Sequence, residues 1–171
     1  MEFLQSAWTL FINNWEVFLR GAYTALLLAI IGTIIGALIG FFIGIMHTIP
    51  QRTKSFKNVL LKIFNFLLTA YVEIFRGTPM MVQAMVVFYG LVYLGFDIDR
   101  FLAASIVISL NTGAYMAEYV RGGIVSIDKG QFEAAQAIGM NHLQIMLYVV
   151  IPQVCRNILP ATGNQFVMNI K

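Results

Sequence analysis

Two lines of polar side chains run at helical spacing along an otherwise apolar stretch, FLAASIVISLNTGAYMA. One line holds Ser105, Ser109 and Thr112, and the other holds Asn111, Tyr115 and Glu118. Steps of three and four residues put each set on one side of a helix. Amides, hydroxyls and a carboxylate placed this way can hydrogen-bond a polar solute. An ionisable group in or beside a membrane span is a functional hypothesis by default, so Asn111, Tyr115 and Glu118 are candidates for a translocation pathway. Glu118 has a second reading, as the partner of Arg121 one turn on at a wet interface. Gln83, in a separate apolar stretch, reads either as a helix–helix hydrogen bond or as a pathway group.

No residue pattern supports covalent catalysis. The sequence has no GxxxxGK[ST] phosphate cradle, no nucleophile elbow and no zinc-spaced His/Cys set. His47 and His142 stand near predicted water without ligand-spaced partners, so neither points to a metal. No catalytic residue, metal or cofactor is expected in this chain. Cys155, the single cysteine, cannot close an internal disulfide. The basic residues are not interleaved with aromatics on a groove-like surface, so nucleic acid is not an expected partner.

The elements that must position these groups are membrane helices. Of 171 residues, 59% are hydrophobic and 11% charged, against about 25% charged in a soluble domain. The outer surface must therefore face lipid. Crossing ~30 Å at ~1.5 Å per residue takes about 20 residues. One domain, 1–171, is predicted, with spans at about 22–46, 78–96 and 101–119. Gly32, Gly36, Gly40 and Gly44 recur every four residues in the first span. They leave a bare stripe where another helix can approach closely.

Residues 58–75, NVLLKIFNFLLTAYVEIF, are broken by Lys62, Asn65 and Glu73. Their uncharged core is too short to span, so they read as an amphipathic helix lying in the cytoplasmic interface. That choice gathers Arg52, Lys54, Lys57, Lys62, Arg76, Arg121, Lys129 and Arg156 on one side. Glu2, Glu16, Arg20, Asp97, Asp99 and Arg100 fall on the other, a positive-inside pattern that puts the N-terminus outside. Residues 1–20 lack the basic leader of a cleavable signal. Leu4, Trp8, Phe11, Trp15 and Phe18 share one face of an external interfacial helix there. Residues 120–152 form a cytoplasmic loop. Within it QFEAAQAI is a short helix stopped by Gly139, and Asn141 caps a second helix running to Pro152. After Pro160 a further apolar helix begins, and about 157–171 is read as the start of a span.

The spacing within that loop carries a resemblance. Glu133-Ala134-Ala135, then Gly139, then Val149-x-Ile151-Pro152 matches the EAA…G…I-x-L-P signature of ABC-importer permeases, with Val and Ile in place of the usual Ile and Leu. YVEIFRGTPMMVQ (Tyr71–Gln83) and NTGAYMAEYVRGGIVSIDKGQFEAAQAIGM resemble the branch of that family that carries polar amino acids such as glutamine, glutamate, arginine or histidine. The similarity runs from about residue 20 to the end.

The resemblance implies an all-α membrane protein of the type I importer fold, a multi-span helical bundle whose cytoplasmic loop presents a coupling helix. It also implies a chain that would normally continue for another span or more. Glu133, Ala134, Ala135, Gly139 and Pro152 are then the ATPase-coupling residues, and Glu73, Arg76, Gly77, Thr78 and Pro79 form a family segment. The implied partners are two ATPase subunits that bind ATP and magnesium, a second permease copy or paralogue, an external amino-acid-binding protein and the lipid bilayer. The implied location is the bacterial cytoplasmic membrane, and the chain is not itself an enzyme. The physics of the loop agrees. A short helix flanked by glycines can be held away from the bilayer, Ala134 and Ala135 allow close approach, and Glu133 offers a charge to a basic groove. The rival class, a passive channel or membrane scaffold, has no need of such a loop.

Overall fold

The computed structural model describes residues 1–48 and 56–171, and their regular structure is entirely helical. Arg52 and Lys54, counted above on the basic side, lie outside these residues.

One helix pair organises the bundle. α2 (Trp15–Thr48) and α5 (Arg100–Val125) lie side by side. Gly32, Gly36, Gly40 and Gly44 are buried and face Ile108, Thr112, Met116 and Val120 in that order. A Cβ on Gly36 would come within 2.6 Å of the Thr112 Cβ, and one on Gly44 within 2.6 Å of the Val120 Cβ. Only hydrogen fits, and so the two backbones meet. The matching order of partners also means that α2 and α5 run parallel. Residues 49–99 must therefore return the chain from the end of α2 to the side where α2 began.

The return is made by α3 (Phe56–Gly77) and α4 (Met80–Tyr93), which meet at a bend of 110°. This differs from the interfacial helix 58–75 and separate straight span 78–96 expected from sequence. α4 has 14 residues, about 21 Å at ~1.5 Å per residue, too short to cross alone. The last turns of α3 pack on the middle of α5. The Tyr71 hydroxyl donates to the Leu110 carbonyl at 2.6 Å, and Val72, 2% exposed, packs with Ile43 and Ala117. Lys62 and Glu73, which argued against a span, are exposed and leave the packed face apolar. Pro79 explains the break. It lacks an N–H and disfavours helical geometry at Thr78. Of the described residues in the basic set above, Arg76 stands at the bend.

The link from α4 to α5 is capped on both sides. Gly95, with φ +84, closes α4 by paired bonds from its N–H to the Val92 carbonyl and from the Phe96 N–H to the Leu91 carbonyl, both 3.0 Å. Asp99 caps α5, its carboxylate accepting from the Phe101 and Leu102 N–H groups at 2.9 and 3.1 Å.

Two boundaries differ from expectation. α1 (Glu2–Asn13) stops at Asn14, and residues 15–20 begin α2 rather than ending the interfacial helix. Phe11 bridges the joint, with ring centroids 6.1 Å from Trp8 and 5.4 Å from Phe18. At the other end, α7 (His142–Gln144), a π turn (Ile145–Val150) and α8 (Ile151–Ile170) form one helix, His142–Ile170. The expected stop at Pro152 and restart after Pro160 do not occur. Pro152 sits in the first turn of α8, directly after the wider π turn, which accommodates the clash between a proline ring and the carbonyl four residues back. Pro160 lies inside α8. Val154 and Ile158, 0% and 8% exposed, pack so closely on Gly123 that an added Cβ would lie 3.1 and 3.0 Å from their side chains, and they hold the preceding turn on α5.

Among the described residues, Trp15–Thr48, Arg100–Val125 and His142–Ile170 are long and apolar enough to cross a membrane. The bent α3–α4 pair makes a fourth crossing when taken as one.

Candidate functional site

The bend between α3 and α4 opens beside α5 and α8 into a cavity of ≈ 490 Å³. Arg76, Gly77, Thr78 and Pro79 form the bend side of its wall, with Met80 from α4. α5 contributes Asn111, Tyr115 and Tyr119, and α8 contributes Asn164, Gln165, Met168 and Asn169. A concave site of this size with a few convergent polar groups suits a small polar ligand.

Gln83 holds the bend in shape. The end of α3 leaves carbonyls without intrahelical donors, and in lipid each must find a partner. The Gln83 Nε2 donates to the Phe75 carbonyl at 2.9 Å, the Thr78 carbonyl at 3.0 Å and the Thr78 hydroxyl at 2.7 Å. Its Oε1 accepts from the Asn111 Nδ2 at 3.1 Å, and Asn111 also donates to the Phe75 carbonyl at 3.1 Å. Of the two readings of Gln83, the helix–helix hydrogen bond is the one present, and Gln83 is not part of the cavity wall. Asn111 does both jobs, lining the cavity and bracing the bend.

A charged cluster borders the cavity. Both oxygens of Glu118 accept from Arg121, from Nε and Nη2, each at 2.9 Å. Arg76 approaches the same carboxylate at 3.6 Å and stands over the Tyr115 ring, 5.6 Å from its centroid. The Glu118–Arg121 pair expected from spacing is therefore present, with a third member contributed by the bend. Two guanidinium groups against one carboxylate leave one unit of positive charge at the cavity edge.

The remaining candidates separate by position. Glu73 is exposed on α3 and does not line the cavity. Ser105 and Ser109 donate to the carbonyls of Phe101 and Ser105 at 2.8 and 2.6 Å and are also absent from the wall. Thr112 belongs to a knot in which the Asn169 Nδ2 donates to the Thr33 and Thr112 hydroxyls, both at 3.0 Å, tying α8 to α2 and α5. His47, expected in water, has a buried Nε2 without a hydrogen-bond partner among the described residues.

Six wall residues were missed from sequence: Met80, Met168, Tyr119, Asn164, Gln165 and Asn169. The signal for the last two was present. Gln165 and Asn169 stand one turn apart in an apolar helix, the pattern that singled out α5. Starting a new helix at Pro160 left that stretch too short to read.

α6 (Lys129–Ala137) stands between α5 and the His142–Ile170 helix. The Asp128 carboxylate caps it by accepting from the Gly130 N–H at 2.6 Å. Gly139, with φ +84, ends it, its N–H bonded to the Gln136 carbonyl at 2.9 Å and the Met140 N–H to the Ala135 carbonyl at 3.1 Å. This paired closure needs a residue at ease with positive φ. Glu133 and Ala134 are exposed. Ala135 is not. It is 5% exposed and packs with Ile127, Ile145 and Val150. The expectation that Ala135 offers a small contact to a partner is corrected, because its size serves internal packing. Pro152 is exposed in the first turn of α8.

Known proteins resemble this chain over most of its length. The probable glutamine ABC transporter permease protein GlnM of Bacillus subtilis (strain 168) is 31% identical over 163 residues, 95% of this chain and 71% of that protein. The arginine transport system permease protein ArtQ of the same strain is 47% identical over 98 residues, 57% of this chain and 45% of that protein. The glutamine transport system permease protein GlnP of Escherichia coli (strain K12) is 40% identical over 111 residues, 64% of this chain and 51% of that protein. The chain spans about half the length of most of the curated relatives it matches. A solved amino acid ABC transporter with histidines contains a chain 36% identical, with TM-score 0.79, covering 93% of this chain and 70% of that one. The inward facing MetNI methionine ABC transporter shares the fold at TM-score 0.73 and 20% identity, covering 92% of this chain and 72% of that one. The architecture is that of type I ABC importer permeases. Residues 55–171 match the family model itself, and the chain belongs to the binding-protein-dependent transport system inner membrane components.

Proposed function

We propose that the chain is the permease subunit of an importer that moves polar amino acids through the cavity beside the α3–α4 bend, driven by a separate ATPase docked on α6. One observation carries this reading. α6 turns at Gly139 into the helix His142–Ile170, and that helix lines the cavity with Asn164, Gln165 and Asn169. A displacement imposed on α6 reaches the cavity wall through the short turn at Gly139, closed by its own hydrogen bonds, and then along one helix. Its soft point is the π turn Ile145–Val150, a form often found at functional sites. The family supplies the partners: two ATPase subunits holding ATP and magnesium, a second permease, and an external binding protein. In this reading the cytoplasmic membrane holds the chain with its N-terminus outside, α6 faces the cytoplasm, and alternating access is selected by contacts at α6.

Ala134→Trp and Gly139→Val test it. The first adds bulk on an exposed face, and the second places a β-branched residue where φ is +84, a strain of about 1–3 kcal/mol. Each variant complex should insert and either lose its ATPase subunits on purification or fail to raise ATP turnover when loaded binding protein is added to liposomes. Retained subunits with normal stimulated turnover in both variants would remove α6 as the coupling element and favour the channel class.

A further inference from the structure

We propose that the cavity selects amino acids whose side chain ends in an uncharged carboxamide, and that Asn164 is the specificity-determining residue. The proposal rests on the reading of the cavity as a stretch of the substrate pathway. The relatives do not decide the point, because their names divide between arginine and glutamine.

The unspent hydrogen-bonding capacity of the wall decides it instead. Asn164 lines the cavity as an exposed residue of α8 and makes no side-chain hydrogen bond among the described residues. Its amide offers one acceptor and one donor group side by side. A carboxamide presents the same pair and can bond it reciprocally, N–H to oxygen in both directions. A carboxylate is acceptor-only and would set an oxygen against the Asn164 Oδ1. Gln165 is 7% exposed; its Nε2 donates to Asn169 at 3.4 Å, leaving its Oε1 as an acceptor for the substrate ammonium. Arg76 gives one contact to Glu118 and keeps other guanidinium donors for the substrate carboxylate.

A cationic side chain meets the opposite situation. Among the described residues, no Asp or Glu lines the cavity. The carboxylate at its edge, Glu118, has both oxygens bonded to Arg121, and the cluster with Arg76 is net positive. A guanidinium or second ammonium would lose water without gaining a counter-ion and would face like charge. An arginine-selective wall needs a carboxylate, and position 164 is where its addition would be felt.

The test uses the complete permease–ATPase complex in lipid nanodiscs, without binding protein, and equilibrium binding of radiolabelled L-glutamine, L-glutamate and L-arginine. The unmodified complex should bind L-glutamine at least about tenfold more tightly than L-arginine, and more tightly than L-glutamate. Asn164→Asp, which keeps the shape and adds a charge, should reverse the order of L-glutamine and L-arginine while the elution profile and the thermal unfolding midpoint confirm an intact complex. Equal or tighter binding of L-arginine or L-glutamate by the unmodified complex overturns the carboxamide assignment but leaves the cavity a substrate site. An unchanged order in an intact Asn164→Asp complex overturns the role of Asn164. Binding of none of the three overturns the proposal together with the pathway reading beneath it.

Discussion

Gln83 shows how one side chain can decide whether a membrane helix is broken or merely bent. The Gln83 Nε2, whose two N–H groups are shared among three acceptors, and the Oε1, which accepts from Asn111, join the end of α3, the link at Thr78 and the middle of α5. Leucine at this position has similar bulk and none of these bonds. Gln83→Leu removes the Thr78 carbonyl's bond from Gln83 and one of the two bonds to the Phe75 carbonyl, which keeps its bond from Asn111, and an unmade bond costs about 1–3 kcal/mol where the group is buried. The purified variant complex should therefore unfold at a lower temperature in detergent than the unmodified one. An unchanged midpoint would mean that the bend is held by packing alone. From sequence Gln83 was indistinguishable from Asn111, since both are amides in apolar stretches. Which of them lines the cavity depends on a bend that neither announces.

At the scale of elements, the α2–α5 pair illustrates a pattern that sequence states almost completely. Four glycines at a spacing of four define a stripe, and the structure supplies its partner in matching register. A Cβ at Gly40 would lie 2.7 Å from the Ala117 nitrogen and 2.7 Å from the Gly113 carbonyl oxygen. Backbone cannot yield as a side chain can, and overpacking typically costs about 1–3 kcal/mol or more. Gly21 provides the comparison, because a Cβ there meets nothing within 4 Å. Gly40→Leu should lower the amount of monodisperse protein recovered from membranes, whereas Gly21→Leu should leave it unchanged. Equal recovery of both variants would show that the stripe does not set the pairing. The α3–α4 element has a bend that its sequence reading lacked, because that reading rested on the short uncharged core of 58–75 and on how the charges sort by side. Lys62 and Glu73 stand on exposed faces, where they do not oppose packing on α5.

For the whole molecule, parallel packing of α2 and α5 constrains topology independently of charge. If α2 and α5 both cross, their starts share one side and their ends share the other, and the broken α3–α4 pair must make the return. In the orientation proposed from the basic residues, the ends lie inside. Glu16→Cys, Asp99→Cys and Lys129→Cys, each in a Cys155→Ser background, test this with a membrane-impermeant thiol reagent on intact cells. Cysteines at 16 and 99 should label, and the one at 129 should label only after permeabilisation. Labelling at 129 in intact cells would invert the orientation and move α6 away from any cytoplasmic ATPase.

The sequence by itself determined what depends on neighbours along the chain. Apolar periodicity gave helices in a membrane, the glycine stripe gave a close-packed face, Gly139 gave the end of α6, and three-residue spacing gave the Glu118–Arg121 pair. Tertiary structure decided what depends on contacts between distant segments. Ala135 faces inward because Ile145 and Val150 return to cover it. Arg76 joins Glu118 because the chain bends at Pro79 and lays that bend on α5. The His142–Ile170 helix continues past two prolines because the π turn makes room at Pro152 and packing on Gly123 supports the turns before Pro160. The cavity is the sum of these contacts. It draws its wall from the bend, α5 and α8 at once, and a local pattern cannot encode where three separate segments converge.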